Sequence, residues 1–237
     1  MRSRFLCPPR AFWIACGALL GLAALPSSAA SVTVVVSGLS DLWLAGRPNG
    51  STLGSDSAPA ESPFQVTGLT FIAGNSLTFS NASGTVGGFG GSAGPDGSFL
   101  FPPSAANSIS GFSGLPAGSL IGVFLDDNVP SGAAPASQVV ITSSLSYSPL
   151  LRQGFFIGDG LTGTGTGSTQ TFVIPTGATR LFLGIGDSPG GFFNNTGSLN
   201  VTVSDGLTAG GVPEPGTILT LGIGLLGLWQ TRRRFKR

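Results

Sequence analysis

The stretch of this chain best suited to chemistry is the loop GDSPGGFFNNTGS at residues 186–198. It carries one carboxylate, Asp187, and two adjacent amides, Asn194 and Asn195, on either side of a Pro/Gly turn. Calcium prefers hard oxygen ligands from carboxylates, amides and backbone carbonyls, and glycines allow carbonyls to turn inward. The loop therefore predicts a calcium site. The simpler interpretation is that these three residues are ordinary turn formers.

The residue types that the chain lacks narrow the chemistry further. It has no histidine, and its two cysteines, Cys7 and Cys16, both lie in an N-terminal apolar segment. Beyond that segment the sequence thus excludes catalytic triads, thiol chemistry, disulfides and most zinc sites. Hydrolysis would need paired carboxylates, and the sequence indicates no such pair. We therefore expect no enzymatic activity.

Residues 31–211 are acidic although the whole chain carries a formal charge of +1. This central part has three arginines against nine aspartate and glutamate residues, which gives a net charge of −6. Nucleic-acid binding needs clustered Lys and Arg to meet the phosphates, so we expect no nucleic-acid partner. The negative net charge of this part favours cations as binding partners instead.

The elements that would position the loop are predicted to be strands. Glycine is frequent, with 39 residues in 237, and good helix formers such as Glu, Lys and Met are scarce. Short apolar stretches with period-two alternation and Gly/Pro/Asn turns predict an all-β domain, an antiparallel β-sandwich. The candidate strands lie at residues 32–36, 64–72, 76–80, 119–125, 138–142, 154–158, 169–175, 180–186 and 198–204. The stretch 160–169 reads as a hairpin or loop, and 127–137 as an inserted loop.

Both ends of the chain differ from this domain. Residues 1–30 combine arginines, an apolar run and small residues, which is typical of a secretory signal peptide cleaved after Ala29 or Ala30. Residues 212–237 contain an apolar run of thirteen residues at 217–229, followed by a basic cluster. A spanning helix needs about 20 apolar residues, so we expect a single apolar helix that anchors the protein in the membrane transiently.

The C-terminal segment resembles the PEP-CTERM family of exported bacterial proteins. The resemblance rests on the motif, the apolar run and the arginines that follow it, which are Val212, Pro213, Glu214, Pro215, Arg232, Arg233 and Arg234. It implies export through the inner membrane and processing near Pro-Glu-Pro by an exosortase, a membrane cysteine protease-transpeptidase. It also implies a place at the cell surface, in the outer envelope or in the extracellular matrix, alongside exopolysaccharide and biofilm production.

The central domain resembles the galactophilic, calcium-dependent lectins of the LecA type. The resemblance rests on the order of Asp187, a Pro-Gly turn and the Asn194–Asn195 pair followed by Gly-Ser. It implies that calcium is held by Asp187, Asn194, Asn195 and carbonyls near Gly191 and Gly88, and that sugar hydroxyls bind the ion directly.

The sugar-binding part of that resemblance is altered here. The family's sugar-binding His and Gln are replaced in a region that contains Phe101 and Ser104. These two residues, with Asp187 and Asn194, are the candidate contacts to a galactoside or exopolysaccharide. The alternative is a structural surface protein of the same fold that binds no ligand.

Overall fold

The computed structural model describes residues 29–88 and 90–206. Eighteen strands and two short 3-10 helices, Leu42–Leu44 and Phe192–Asn194, form this part of the chain. The strands are β1 (Ser31–Ser37), β2 (Thr52–Leu53), β3 (Asp56–Ser57), β4 (Phe64–Val66), β5 (Ser76–Gly87), β6 (Ser92–Ala93), β7 (Leu100–Phe101), β8 (Phe112–Ser113), β9 (Leu115–Pro116), β10 (Leu120–Leu125), β11 (Gln138–Val139), β12 (Ser146–Tyr147), β13 (Gly154–Phe156), β14 (Leu161–Gly163), β15 (Thr166–Thr169), β16 (Thr171–Val173), β17 (Arg180–Ile185) and β18 (Thr196–Ser204).

The larger sheet is built around the long strands β5 and β18. Its order is β1-β18-β5-β16-β12, and β6 also pairs with β5. Along β18 the side chains of Leu199, Val201 and Val203 are buried, while the residues between them are more exposed. This alternation is the period-two pattern of a sheet with one face on the core. The final strand is therefore an integral part of the larger sheet, and it fixes the end of the loop that precedes it.

The smaller sheet has the order β13-β10-β17-β4, and all its pairs are antiparallel. All six residues of β10 are buried, so this strand is covered on both faces. Side chains from the two sheets share one hydrophobic core. For example, the rings of Phe155 in β13 and Phe172 in β16 lie 5.4 Å apart between centroids. The all-β prediction is confirmed, and the lectin-like type of sandwich stays a prediction.

The predicted strands are mostly correct in place but not always in length. Each of the nine candidate segments contains a strand. Two of these strands are much shorter than predicted: the segment 64–72 forms a strand only at 64–66, and the segment 138–142 only at 138–139. The stretch 160–169 forms the hairpin β14–β15. Two pairs, β8–β11 and β12–β16, are parallel and depart from a purely antiparallel arrangement.

Both parallel pairs involve the long excursion between β10 and β13. Its position is fixed by hydrogen bonds from side chains to backbone carbonyls rather than by extended strand pairing. The amide of Gln170 donates to the carbonyls of Thr142 and Ser144, at 3.0 and 2.8 Å. Arg152 donates from Nη1 to the carbonyl of Ala133 at 3.1 Å. Such contacts connect residues far apart in sequence and carry no periodic signal.

Several predictions fall on residues outside the described part of the chain. These are the signal peptide, the C-terminal apolar helix and the sorting residues Val212, Pro213, Glu214, Pro215, Arg232, Arg233 and Arg234. The predicted limits of the central domain, 31–211, remain a prediction. Within residues 29–88 and 90–206, no helix has the length and apolar character to span a membrane.

Candidate functional site

The candidate loop lies between β17 and β18 and is held in place by an aromatic anchor. Gly191 N donates to the carbonyl of Ser188 at 3.0 Å, and Asn195 N to that of Phe192 at 2.9 Å, so two consecutive turns form the loop. The Phe192 side chain is fully buried. Its ring centroid is 6.3 Å from that of Trp43, which is buried as well. The loop is thus fixed to the core at its middle.

Two of the predicted calcium ligands, Asp187 and Asn195, are in direct contact. Asn195 Nδ2 donates to Asp187 Oδ2 at 3.0 Å and to the carbonyl of Gly38 at 3.2 Å. These two acceptors fix the orientation of the amide group. The other atom of that group, Asn195 Oδ1, is buried and has no hydrogen-bond partner among the residues described. The loop therefore presents an unused acceptor next to a carboxylate.

The Asp187 carboxylate is half-buried, and its surroundings work against its charge. Burial raises the pKa of Asp187 above its ordinary value. The N–H of Ser188 and the amide of Asn195 act in the opposite direction, and the nearby charge of Asp56 adds to the rise. A positive ion at this carboxylate would offset both the burial and the repulsion.

Gly88 brings the end of β5 against the same amide. Its φ is +126°, a conformation that residues with a side chain rarely adopt. A Cβ placed there would be 2.2 Å from Asn195 Oδ1 and 2.7 Å from Asn195 Cα. Only glycine fits this position, so the backbone of residue 88 lies directly beside the unpaired acceptor. The structure thus brings Gly88, Asp187 and Asn195 together.

Asn194 and Gly191 occupy the two ends of the 3-10 helix in the loop. Gly191 is its N-cap residue and Asn194 is its last residue. The Asn194 side chain is exposed, and its carbonyl would lie 3.0 Å from a Cβ at Gly88. Both residues therefore belong to the same loop as Asp187.

Two buried aspartates, Asp41 and Asp56, accept hydrogen bonds from the backbone of this loop, and neither was among the predicted site residues. Asp41 Oδ1 accepts from Trp43 N at 2.8 Å, and its Oδ2 accepts from Gly190 N at 3.1 Å. Asp56 accepts from the backbone N–H of Phe192 at 2.9 Å and of Phe193 at 2.8 Å. Three backbone N–H groups of the loop, those of Gly190, Phe192 and Phe193, therefore donate to two carboxyl groups.

The two supporting carboxyl groups interact with each other. Burial raises the pKa of Asp41, the N–H groups of Trp43 and Gly190 lower it, and the neighbouring Asp56 raises it again, so that the net pKa is about 8. Asp41 is therefore protonated at neutral pH. Its sequence signal was the Asn/Asp-type cap of a short helix at Leu42–Leu44. Nothing in the sequence distinguished Asp56 from an ordinary turn residue.

A shallow cleft of about 170 Å³ lies beside Asp187. It is lined by Phe99, Phe101, Ala117, Asp187 and Ser188. The Phe99 ring is 54% exposed, and its centroid is 6.4 Å from that of Phe101. The structure thus brings the predicted sugar contacts Phe101 and Asp187 into one cleft. Ser104 is exposed and is not among the residues that line it.

The number of carboxylates limits what a metal could use here. Among the residues that the structure describes, no group of three or more acidic, His or Cys side chains is arranged to hold a metal ion. Any cation at the loop would depend on Asp187 together with neutral oxygens. The sequence also offers a rival turn for calcium, the Asp-Asp-Asn stretch at 126–128. There both carboxylate oxygens of Asp126 already accept from Asn128, at 3.0 and 3.1 Å.

Comparison with known proteins adds information on the C-terminal segment alone. No curated protein matches this chain. Residues 211–234 match the PEP-CTERM protein-sorting motif, which confirms the predicted sorting signal. The motif marks the chain as an exported protein that an exosortase processes and that reaches the cell surface or the extracellular space.

Proposed function

We propose that this exported protein is a calcium-dependent binding module and that residues 187–195 hold the ion. The observation that supports this best is Asn195 Oδ1, which is buried and unpaired beside the Asp187 carboxylate. A buried acceptor without a partner costs about 1–3 kcal/mol. A cation is the partner that would remove this cost and also neutralise the half-buried charge of Asp187.

The oxygens available to such an ion are hard ligands of the kind calcium prefers. Asp187 would supply the negative charge, and Asn195 Oδ1 the buried amide oxygen. The exposed Asn194 amide and the carbonyls of Gly88 and Gly191 would complete the set. A single carboxylate with neutral oxygens favours modest affinity, in the range of extracellular calcium modules, roughly 10⁻⁴–10⁻³ M.

The rigidity of the loop adds to the case. The hydrogen bonds from the loop backbone to Asp41 and Asp56 hold the turn in place before any ligand arrives. A preformed site loses less conformational entropy on binding than a loop that must order first. Two buried carboxyl groups are an expensive way to hold an ordinary surface turn, since each must be removed from water.

The cleft beside Asp187 favours a saccharide as the further ligand. A sugar ring offers an apolar C–H face and an edge of hydroxyl groups. Phe99 and Phe101 supply apolar surface, and Asp187, where the calcium ion would bind, lines the same cleft. A galactoside or an exopolysaccharide of the surrounding matrix would fit this combination, and the protein would then link the cell surface to that biofilm matrix.

The competing proposal is a structural surface protein with the same fold and no ligand. In that case a water molecule would satisfy Asn195 Oδ1, and the loop would serve only to connect β17 with β18. This proposal gains its support from the absence of a cluster of three acidic ligands among residues 29–88 and 90–206.

Calorimetric titration of calcium into the purified exported protein distinguishes the two proposals. We expect binding in the submillimolar to millimolar range and a thermal midpoint that rises with calcium as RT ln(1 + [L]/Kd) predicts. Asp187→Asn should weaken binding at least tenfold. The matched control is Asp126→Asn, in the rival turn, which should bind calcium like the wild type. No binding at millimolar calcium would contradict the calcium proposal.

Titration of a galactoside or an acidic exopolysaccharide follows in the presence and absence of calcium. We expect binding only with calcium, and a loss of binding in Phe99→Ala with calcium affinity unchanged. Calcium binding without saccharide binding would leave the ion proposal standing and refute the saccharide part.

A further inference from the structure

The first and the last strand of the described chain are joined at their outer ends. In the antiparallel pair β1–β18, Ser31 lies opposite Ser204. The pairing continues by one more residue, because Asp205 N donates to the carbonyl of Ala30 at 3.0 Å. Ala30 N in turn donates to the Asp205 side chain, at Oδ1, at 3.0 Å. Ala30 therefore uses both of its backbone groups on one aspartate.

The burial of these residues changes sharply at one peptide bond. Asp205 is only 3% exposed, and Ala30 is half-buried against it. Ala29, the residue before, is exposed. The ordered packing of the domain thus begins at Ala30 and not at Ser31.

The two possible signal-cleavage sites differ in what they do to this contact. Signal peptidases need small residues at −3 and −1, which Ser27 and Ala29 supply for cleavage after Ala29, and Ser28 and Ala30 for cleavage after Ala30. Cleavage after Ala30 removes both hydrogen bonds. Cleavage after Ala29 keeps both and converts the Ala30 amide into a charged amino group opposite a buried carboxylate.

We propose that the mature protein begins at Ala30 and that its α-ammonium group forms an ion pair with Asp205. The inference rests on the proposed signal peptide. In this step a signal peptidase hydrolyses the Ala29–Ala30 amide bond: the water oxygen enters the new carboxylate of Ala29, and both water hydrogens end on the Ala30 nitrogen, which becomes an ammonium group. A charged N–H donor binds a carboxylate more strongly than a neutral amide does. Export would thereby strengthen the closure of β1 onto β18.

The mass of the N-terminal peptide of the exported wild-type protein is the first test. We expect a peptide that starts at Ala30. A start at Ser31 would overturn the inference while export itself stands. A retained Met1 would refute the signal peptide and with it the inference.

Two substitutions in the leader form a matched pair for the second test. Ala29→Leu blocks cleavage after Ala29 and should shift the start to Ser31, whereas Ser28→Leu blocks only the other site and should keep the start at Ala30. The protein that starts at Ser31 lacks both hydrogen bonds between Ala30 and Asp205. Its thermal midpoint should therefore be lower by about 4 °C, a shift typical of a small stability loss in a domain of this size.

Asp205→Asn in both proteins isolates the ion pair. It should lower the thermal midpoint more in the protein that starts at Ala30 than in the one that starts at Ser31. An equal loss in the two would overturn the ion pair. If the variants do not fold, the wild-type peptide mass still decides the cleavage site.

Discussion

The loop of the candidate site should depend strongly on a residue that would never touch its ligand, Asp56. This carboxylate is 1% exposed and accepts hydrogen bonds from Phe192 N and Phe193 N. The change Asp56→Ala removes both acceptors at once. The N–H of Phe192 is then left buried without a partner, whereas that of Phe193 lies nearer the surface and can find water.

The magnitude follows from these two bonds. A hydrogen bond to a charged group contributes about 1.5–3 kcal/mol, so the pair, with one N–H partly recovered by water, represents about 3 kcal/mol. Removing the buried carboxylate also removes the cost of taking that group out of water, which offsets about 1 kcal/mol of the loss. The net loss of unfolding free energy is about 2 kcal/mol, and the thermal midpoint should fall by about 4–8 °C.

Urea unfolding and calcium titration together provide the assay. A control is Asp126→Ala, whose carboxylate also accepts two hydrogen bonds, but exposed ones; it should change stability by about 0.5 kcal/mol or less. If ordering the loop costs about 1.4 kcal/mol in Asp56→Ala, calcium binding weakens about tenfold. A midpoint equal to that of the control, or a destabilised protein with unchanged calcium affinity, would refute the supporting role of Asp56.

Three further predictions concern pH, backbone geometry and sorting. The pKa of Asp41 is about 8 in the folded protein, against an ordinary value of 3.8. The free energy of unfolding should therefore fall as the pH rises from about 4 to 8, and it should fall less in Asp41→Asn. Urea midpoints measured from about pH 5 to 9 check this, and an equal slope in the two proteins would contradict it. Gly88→Ala should abolish calcium binding by calorimetry because its Cβ meets Asn195, whereas Gly90→Ala, with a φ of +91° and open space, should not; equal affinities would refute the packing argument. Glu214→Ala should leave the C-terminal segment unprocessed and the protein in the membrane fraction, and a mature mass identical to that of the wild type would speak against the sorting motif.

The sequence predicted the parts of this molecule that depend on local pattern. Strands such as β18 alternate with period two, and this pattern survives folding because one face of the sheet meets the core. The meeting of Asp187 with Asn195 was predictable for a similar reason. The two residues belong to one loop, eight positions apart, and a Pro/Gly turn brings such positions together.

The support beneath the loop could not be predicted from the sequence. Asp41 is separated by 149 positions from Gly190, and Asp56 by 136 from Phe192. No periodicity or spacing connects such residues, so their contact appears only when both sheets are assembled. The short strand pairs of the excursion between β10 and β13 could not be predicted either, because strands of two residues have no periodic pattern.

The strand β18 runs from the candidate site to the C-terminal end of the described chain. Asn195 immediately precedes this strand, and Asp205 immediately follows it. At about 3.3 Å per residue, the ten residue steps from Asn195 to Asp205 span about 33 Å. Because β1 is antiparallel to β18 and pairs Ala30 with Asp205, the chain enters and leaves the domain at the same end of the sheet. The loop at 187–195 lies at the other end. The candidate ligand site therefore lies about 33 Å along β18 from Asp205, beside which the described chain both begins and ends.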